Sequence, residues 1–249
     1  GHWQSHVANA DKSDDHDLSP LSDSVQYIAD SIGGEHVMLK VWGRATSSNV
    51  QKVMWTAAEL GLKVERLDVG GTFGGNDTPE YLAMNPNGLV PTVEHEGEVF
   101  WESNSVVRYL AGRYGVGTLA PEDLAQRAVA ERWMDWLLST IQQNWATMYQ
   151  GLVRTAPSKR DMVKIDEGIA RLGDSYQILD QQLANRAYIL GDDLTIADIP
   201  LGVSMYRYHE LKVERPELPN IDAWYRRLCA RPAYAEHVMV SFDSLRVED

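Results

Sequence analysis

The chain has 249 residues, 44% of them apolar, enough for a buried core in one large domain or two small ones. Its 36 acidic and 23 basic residues leave a formal charge of −13, the wrong sign for a duplex-binding surface, so nucleic acid is a poor partner. A single cysteine, Cys229, rules out an internal disulfide and a multi-cysteine metal site and fits a reducing, cytoplasmic setting; no apolar run is long enough to predict a membrane span.

Residues 1–37 differ from the rest. Seven acids and one lysine, Lys12, lie between Asp11 and Glu35, interrupted by short apolar clusters such as Val25–Ile28. With no basic start and no long apolar segment, this is not a secretory signal. It reads as an acidic leader, in part vector-derived: Gly1-His2 has the form of a cleavage scar and Met38 that of a native start. The composition fits a disordered leader. The other reading is an arm that packs Tyr27 and Ile28 onto its own or a neighbouring subunit.

From Met38 the pattern becomes regular. Residues 38–42 predict a strand, 43–48 a turn, and Asn49–Leu60 a helix through Val50, Val53, Met54, Ala57 and Leu60, with Gly61 at its C-terminal cap. Val64–Val69 predicts a second strand, reached by a crossover long enough for a right-handed parallel βαβ unit. A glycine-rich loop, Gly70–Gly75, follows, and Pro79 opens a short helix. Thr92–His95 and Glu98–Trp101 flank Glu96-Gly97 as a hairpin, and Ser103–Tyr114 is a third helix.

Beyond Pro121 the pattern is helical. Glu122–Leu152 reads as one long helix, kinked or broken near Gln142–Asn144, and Arg160–Leu183 as another. Thr195–Tyr208 opens on Thr195-Ile196-Ala197-Asp198, a capping box with aspartate in the glutamate position and Leu194 and Ile199 as its staple; Pro200, fifth in that helix, should bend it. Asn220–Cys229 is the last predicted helix, limited by Pro232. The expected divisions are a leader over 1–37, a first domain over 38–115, a linker over 116–120 and a helical domain over 121–249.

Three stretches carry chemistry. Asn85-Pro86-Asn87-Gly88-Leu89-Val90-Pro91-Thr92 reads as a backbone clamp, in which Val90 could pair with an extended, peptide-like ligand in the manner of a short strand. The Val90–Pro91 bond is a favourable place for a cis peptide, which costs only about 0.5–1 kcal/mol at X–Pro. Glu102-Ser103 stands at a helix start, where exposed amides and a hydroxyl favour a carboxylate while Glu102 accepts from an ammonium, matching a ligand end that bears both charges. Arg44-Ala45-Thr46-Ser47-Ser48-Asn49 joins strand to helix at the carboxyl end of a sheet strand. A hydroxyl or amide there can donate to a thiolate and stabilise it. Ser47, Ser48 and Asn49 can all serve, with Ser47 preferred; Arg44 adds positive potential or faces solvent.

With these stretches and the βαβ-α-ββα order, residues 38–240 resemble the cytosolic glutathione transferase family. Trp42-Gly43-Arg44, Asn85–Pro91 and Trp101-Glu102-Ser103-Asn104 are similar to a bacterial GstB-like branch. The resemblance implies an α/β thioredoxin-like N-terminal domain followed by an all-α domain, glutathione as co-substrate, and a homodimer. It implies that Val90 and Pro91 face the glutathione cysteine, that Glu102 and Ser103 hold the γ-glutamyl end, and that Ser47 is the catalytic serine, with Asn49 the competing candidate. No tyrosine or cysteine replaces the serine in this first turn. A small electrophile would bind between the halves; Trp133, Trp136, Trp145, Met148, Tyr149 and Tyr206 are candidates for its pocket. Asp198 reads as a cap, His95 as a strand-surface residue, Arg207 and His209 as solvated or salt-bridged, and Cys229 as core. The competing functions are a non-catalytic glutathione-binding or protein-interaction module and a glutathione-dependent reductase or lyase.

Overall fold

The computed structural model describes residues 38–249; the acidic leader, with its Tyr27–Ile28 segment, lies outside the described residues. The strands are β1 (Leu39–Trp42), β2 (Val64–Leu67), β3 (Thr92–His95) and β4 (Glu98–Trp101), in the sheet order β2-β1-β3-β4. β1 and β2 run parallel, with Leu39 opposite Val64, as the long crossover between them requires; β3 and β4 add antiparallel. Helix α1 (Ser48–Glu59) makes the crossover, α2 (Pro79–Met84) precedes β3, and α3 (Ser103–Tyr114) follows β4. Leu39, Val41 and Val93 of the sheet pack against Val50, Val53 and Ala57 of α1 and Val106 and Leu110 of α3.

The end of α1 shows how sequence sets a boundary. Gly61 has φ +66°, its amide donates to the Ala58 carbonyl, and the Leu62 amide reaches back to the Ala57 carbonyl at 2.9 Å. That pair of bonds satisfies the last carbonyls of the helix and turns the chain into β2.

The helical half comprises α4 (Leu124–Trp136), α5 (Gln142–Val153), α6 (Met162–Gln182), α7 (Asp198–Glu210), α8 (Pro219–Cys229) and α9 (Pro232–His237). Two expectations are corrected here. The predicted break at Gln142–Asn144 is instead a π-helical turn at Leu137–Ile141, after which α-helix resumes. The cause is a strict period of four: Trp133, Leu137, Ile141, Trp145 and Tyr149 are all buried. In an α-helix, residues four apart drift by about 40° around the axis at each step. A wider turn takes that drift back and keeps the row on one side. The second correction concerns Pro200. Helix α7 begins at Asp198, so Pro200 falls in its first turn, where the missing amide would have had no partner, and removes no helical bond. Pro232, read as a stop, also opens a helix, α9.

Residues 38–249 fall in one compact unit, and α1 is shared between its two cores. Trp55 projects from α1 into the core of the helical half. It lies against Gly202 of α7, where an added Cβ would stand 3.0 Å from the indole ring and 2.9 Å from Leu228. The Trp55 indole N–H donates to Glu59 at 2.8 Å, and Arg231 grips the same carboxylate with two bonds of 2.6 and 2.7 Å.

Candidate active site

The clamp is braced from behind. Asn85, buried, donates from its amide to the Leu89 carbonyl at 2.8 Å and to Thr92 at 3.1 Å, while its oxygen accepts the Asn87 amide at 3.1 Å. The Tyr81 hydroxyl donates to the Leu89 carbonyl at 2.7 Å and accepts from Thr92 at 2.8 Å. Asn76 holds the Gly88 carbonyl at 2.7 Å. Four side chains therefore fix the loop that presents Val90, and the Val90–Pro91 bond is cis. Val90 and Pro91 line a recess together with Asn49, Trp101, Glu102 and Ser103, so the clamp, the acid–hydroxyl pair and one α1 candidate come together.

Glu102 sits just before α3 with φ +67°, a left-handed backbone that a residue with a Cβ adopts at a cost of about 1–2 kcal/mol. Its carboxylate is exposed and makes no hydrogen bond or ion pair among the described residues. Strain of this kind persists where it aims a functional group. Ser103 donates its hydroxyl to the Asn49 oxygen at 3.3 Å, and Lys52 donates to the same oxygen at 3.0 Å. A lysine ammonium can only donate, so the Asn49 atom it meets is the oxygen, and the Asn49 NH2 is left as a donor.

Ser47 precedes α1 with an extended backbone (φ −85°, ψ 121°), but its side chain does not cap the helix. Its carbonyl accepts the Gln51 amide at 2.9 Å, which starts the helix, while the hydroxyl stays uncommitted among the described residues. A serine here normally spends its oxygen on a first-turn amide; this one keeps both its proton and those amides available. Ser48 is half-buried and lines a second recess, described below. Arg44 anchors its backbone to the Val69 carbonyl at 3.1 Å, and its guanidinium lies over Gly70 and Gly71. A Cβ at Gly71 would come within 3.1 Å of the Arg44 Nε, so the glycine-rich loop makes room for this arginine. Burial, together with the Arg154 charge, pushes the Arg44 pKa down.

Several readings are corrected. Arg207, expected to be solvated or salt-bridged, is only 3% exposed: it donates to the Thr46 carbonyl at 2.5 Å and stacks over Tyr149 and Phe242 at 4.9 and 5.5 Å. It holds the turn that carries Ser47, and sequence reasoning missed it because α7 and that turn are 161 residues apart. His95, expected on a strand surface, is buried between the hydroxyls of Tyr109 and Tyr114 at 2.9 and 2.8 Å, and burial lowers its pKa. Met148, a candidate for the electrophile pocket, is 0% exposed and belongs to the core. His209 does face Asp222, at 3.2 Å. Cys229 is half-buried against the helical core, where burial pushes the thiol pKa up.

Lys52 was also missed. It is 5% exposed and lines a second recess between α1 and the helical half, with Ser48, Asn49, Leu137, Trp145 and Ser204. Burial brings its pKa down to about 8, opposed by the Glu102 charge. The signal was present as Asn49, Lys52 and Thr56, a polar stripe at helical spacing in a helix covered on most sides. Trp145 stacks on Tyr149 at 4.8 Å between ring centroids. Trp136 and Tyr206 are half-buried against the helical core. Among the described residues no cluster of histidine, cysteine and acid side chains could hold a metal ion, and no helix is long and apolar enough to cross a membrane.

A thioredoxin-like sheet with a braced clamp, joined to an all-helical half, defines a protein of the glutathione-handling class. Comparison with known proteins makes the assignment firm. Residues 37–112 match the N-terminal domain of glutathione S-transferases and residues 146–232 the C-terminal domain. The chain is 38% identical over 205 residues to glutathione S-transferase GstB of Escherichia coli, covering 82% of this chain and 99% of that protein. It is 31% identical to glutathione S-transferase 3 of Zea mays, covering 80% and 93%. A theta class glutathione S-transferase from Xanthomonas axonopodis pv. citri, solved with glutathione bound, superposes with a TM-score of 0.79 at 44% identity over 82% of this chain and 99% of that one. The chain belongs to the glutathione S-transferase family, is closely related to bacterial GstB, and is an enzyme that uses glutathione as co-substrate.

Proposed function

We propose that this transferase is of the serine type, with the Ser47 hydroxyl donating to the glutathione sulfur and holding it as thiolate. The observation that carries this reading is the uncommitted Ser47 hydroxyl at the start of α1, beside first-turn amides that no side chain caps. The helix start adds a favourable field for negative charge. The Asn49 NH2, freed by the two donors on its oxygen, is the second candidate donor. Ser48 lies between them, and Arg44 adds positive potential at the turn. In this reading Val90 and Pro91 align the cysteine of glutathione, Glu102 takes its ammonium, and Ser103 with the α3 amides takes its carboxylate.

The reaction follows from these placements. The thiol proton leaves to solvent, the sulfur attacks an electrophilic carbon, the C–S bond forms, and a halide or similar group departs with the electron pair. Ser47 need not act as a base; its share is a placed donor that stabilises charge. The electrophile is a small molecule bound between the halves, and the working form is a cytoplasmic homodimer. Residues 38–115 make the glutathione-binding domain, 116–120 the linker and 121–249 the helical domain.

The test is the ultraviolet absorbance of enzyme-bound thiolate near neutral pH. Ser47→Ala should lower the thiolate fraction and cut kcat/KM by roughly 10- to 100-fold, the worth of one bond to a charged group, about 1–3 kcal/mol. Equal thiolate fractions in wild type and Ser47→Ala would remove Ser47 from the mechanism, and a loss confined to Asn49→Ala would assign its role to Asn49.

A further inference from the structure

We infer that the recess between α1 and the helical half is a subsite for an anionic group on the electrophile, with the Lys52 ammonium as its anchor. This rests on the transferase reading above and adds a substrate class to it: electrophiles that carry a carboxylate.

Lys52 is the only buried lysine among the described residues. A buried ammonium is costly unless it is paired and its donors are used. Here one of its three donors meets the Asn49 oxygen at 3.0 Å, and no carboxylate lies within ion-pair distance of it among the described residues. The recess it lines has a volume of about 60 Å³ and opens to solvent, and its walls hold no acidic side chain. That is unusual in a chain of net charge −13. Trp145, which also lines the recess, has its indole N–H buried without an acceptor. The ammonium thus keeps donors to spare beside a recess whose apolar surface comes from Leu137, Pro200 and Val203. An apolar body ending in a carboxylate satisfies all of these, because it brings acceptors for the donors and a charge for the ammonium. Asn49 lines both this recess and the one formed by Val90 and Ser103, so the two are adjacent. One molecule can therefore fill both, with glutathione in one and the electrophile in the other.

The experiment measures binding rather than turnover. S-benzylglutathione and its meta- and para-carboxybenzyl counterparts are titrated calorimetrically into wild type, Lys52→Met and Lys52→Arg. A carboxybenzyl conjugate should bind wild type about tenfold more tightly than the benzyl one. Lys52→Met should erase that advantage while leaving the affinity for S-benzylglutathione within about twofold, and Lys52→Arg should restore most of it. No advantage in wild type for either isomer overturns the subsite, whether or not the variants fold. An equal loss for both kinds of conjugate in Lys52→Met also overturns it, since Lys52 would then serve the glutathione portion they share. Failure of wild type to bind any of the conjugates would instead overturn the glutathione-site reading beneath it.

Discussion

Glu102 combines a strained backbone with a side chain that makes no hydrogen bond or ion pair among the described residues. At φ +67° it occupies a region that favours glycine, and its carboxylate is exposed. Glu102→Gly should therefore leave stability within about 1 kcal/mol, relief of backbone strain offsetting the greater freedom of glycine in the unfolded chain. Glutathione affinity should fall by at least tenfold, because a bond between charged groups is worth about 1.5–3 kcal/mol. Urea unfolding and calorimetric titration on the same sample separate the two effects; a large stability loss with unchanged affinity would show that Glu102 is structural. Lys52 is the complementary case, a residue whose burial is costly to the fold and whose neighbours are the binding groups Asn49 and Ser103.

At the scale of elements, Asp198 joins three of them. Its carboxylate accepts from the Ile189 amide at 3.0 Å, the Thr195 amide at 2.9 Å, the Thr195 hydroxyl at 3.2 Å and the Trp224 indole at 2.9 Å, tying the loop before α7 to α8. Burial nonetheless raises its pKa to about 6, against the pull of those donors. Between about pH 4 and 6 the unfolded chain has lost this proton while the native one keeps it, so this group's contribution to stability falls as pH rises through that window, by an amount on the order of 3 kcal/mol. In Asp198→Asn that term is absent and donors face an amide. The variant should be less stable throughout, and the gap to wild type should be wider at pH 4.5 than at pH 7 in urea unfolding. A gap independent of pH would show that the buried carboxyl keeps its ordinary pKa.

This element also marks how far the sequence could be read. Thr195–Asp198 announces the box, and the Thr195 amide does bond Asp198. The start of the helix was misplaced by three residues because the same four residues form a turn whose bonds run to α8 and Ile189, partners distant in sequence. The strands, the hairpin at Glu96-Gly97 and the clamp were legible because each is written in local chemistry: alternation, a turn glycine, an Asn-Pro-Asn-Gly run. Arg207, His95 and Lys52 were not, since what buries each is an element that only the tertiary fold brings alongside.

For the whole molecule, the join between the two halves runs through α1. Trp55 enters the helical core against Gly202, and the Glu59–Arg231 pair closes the far end. Arg231 and Trp55 together draw the Glu59 pKa down despite a larger opposing contribution from burial. Gly202→Val puts atoms where the indole already stands, so the halves must part or Trp55 must turn. The expected cost is about 1–3 kcal/mol, read by urea unfolding. Glutathione binding should weaken as well, because Ser47 stands at the start of the helix that would shift; unchanged stability and affinity would show that the seam has room to spare.

The π turn at Leu137–Ile141 has a further consequence for this cleft. Everything beyond it inherits its angular phase from those five residues, so the direction in which Trp145 and Tyr149 look is decided a full turn upstream, in a stretch of which Leu137 lines the recess and the other four residues do not. The helix behaves like a shaft with a keyed coupling: the composition of the cleft wall is encoded at one place and its orientation at another, and the two can drift independently.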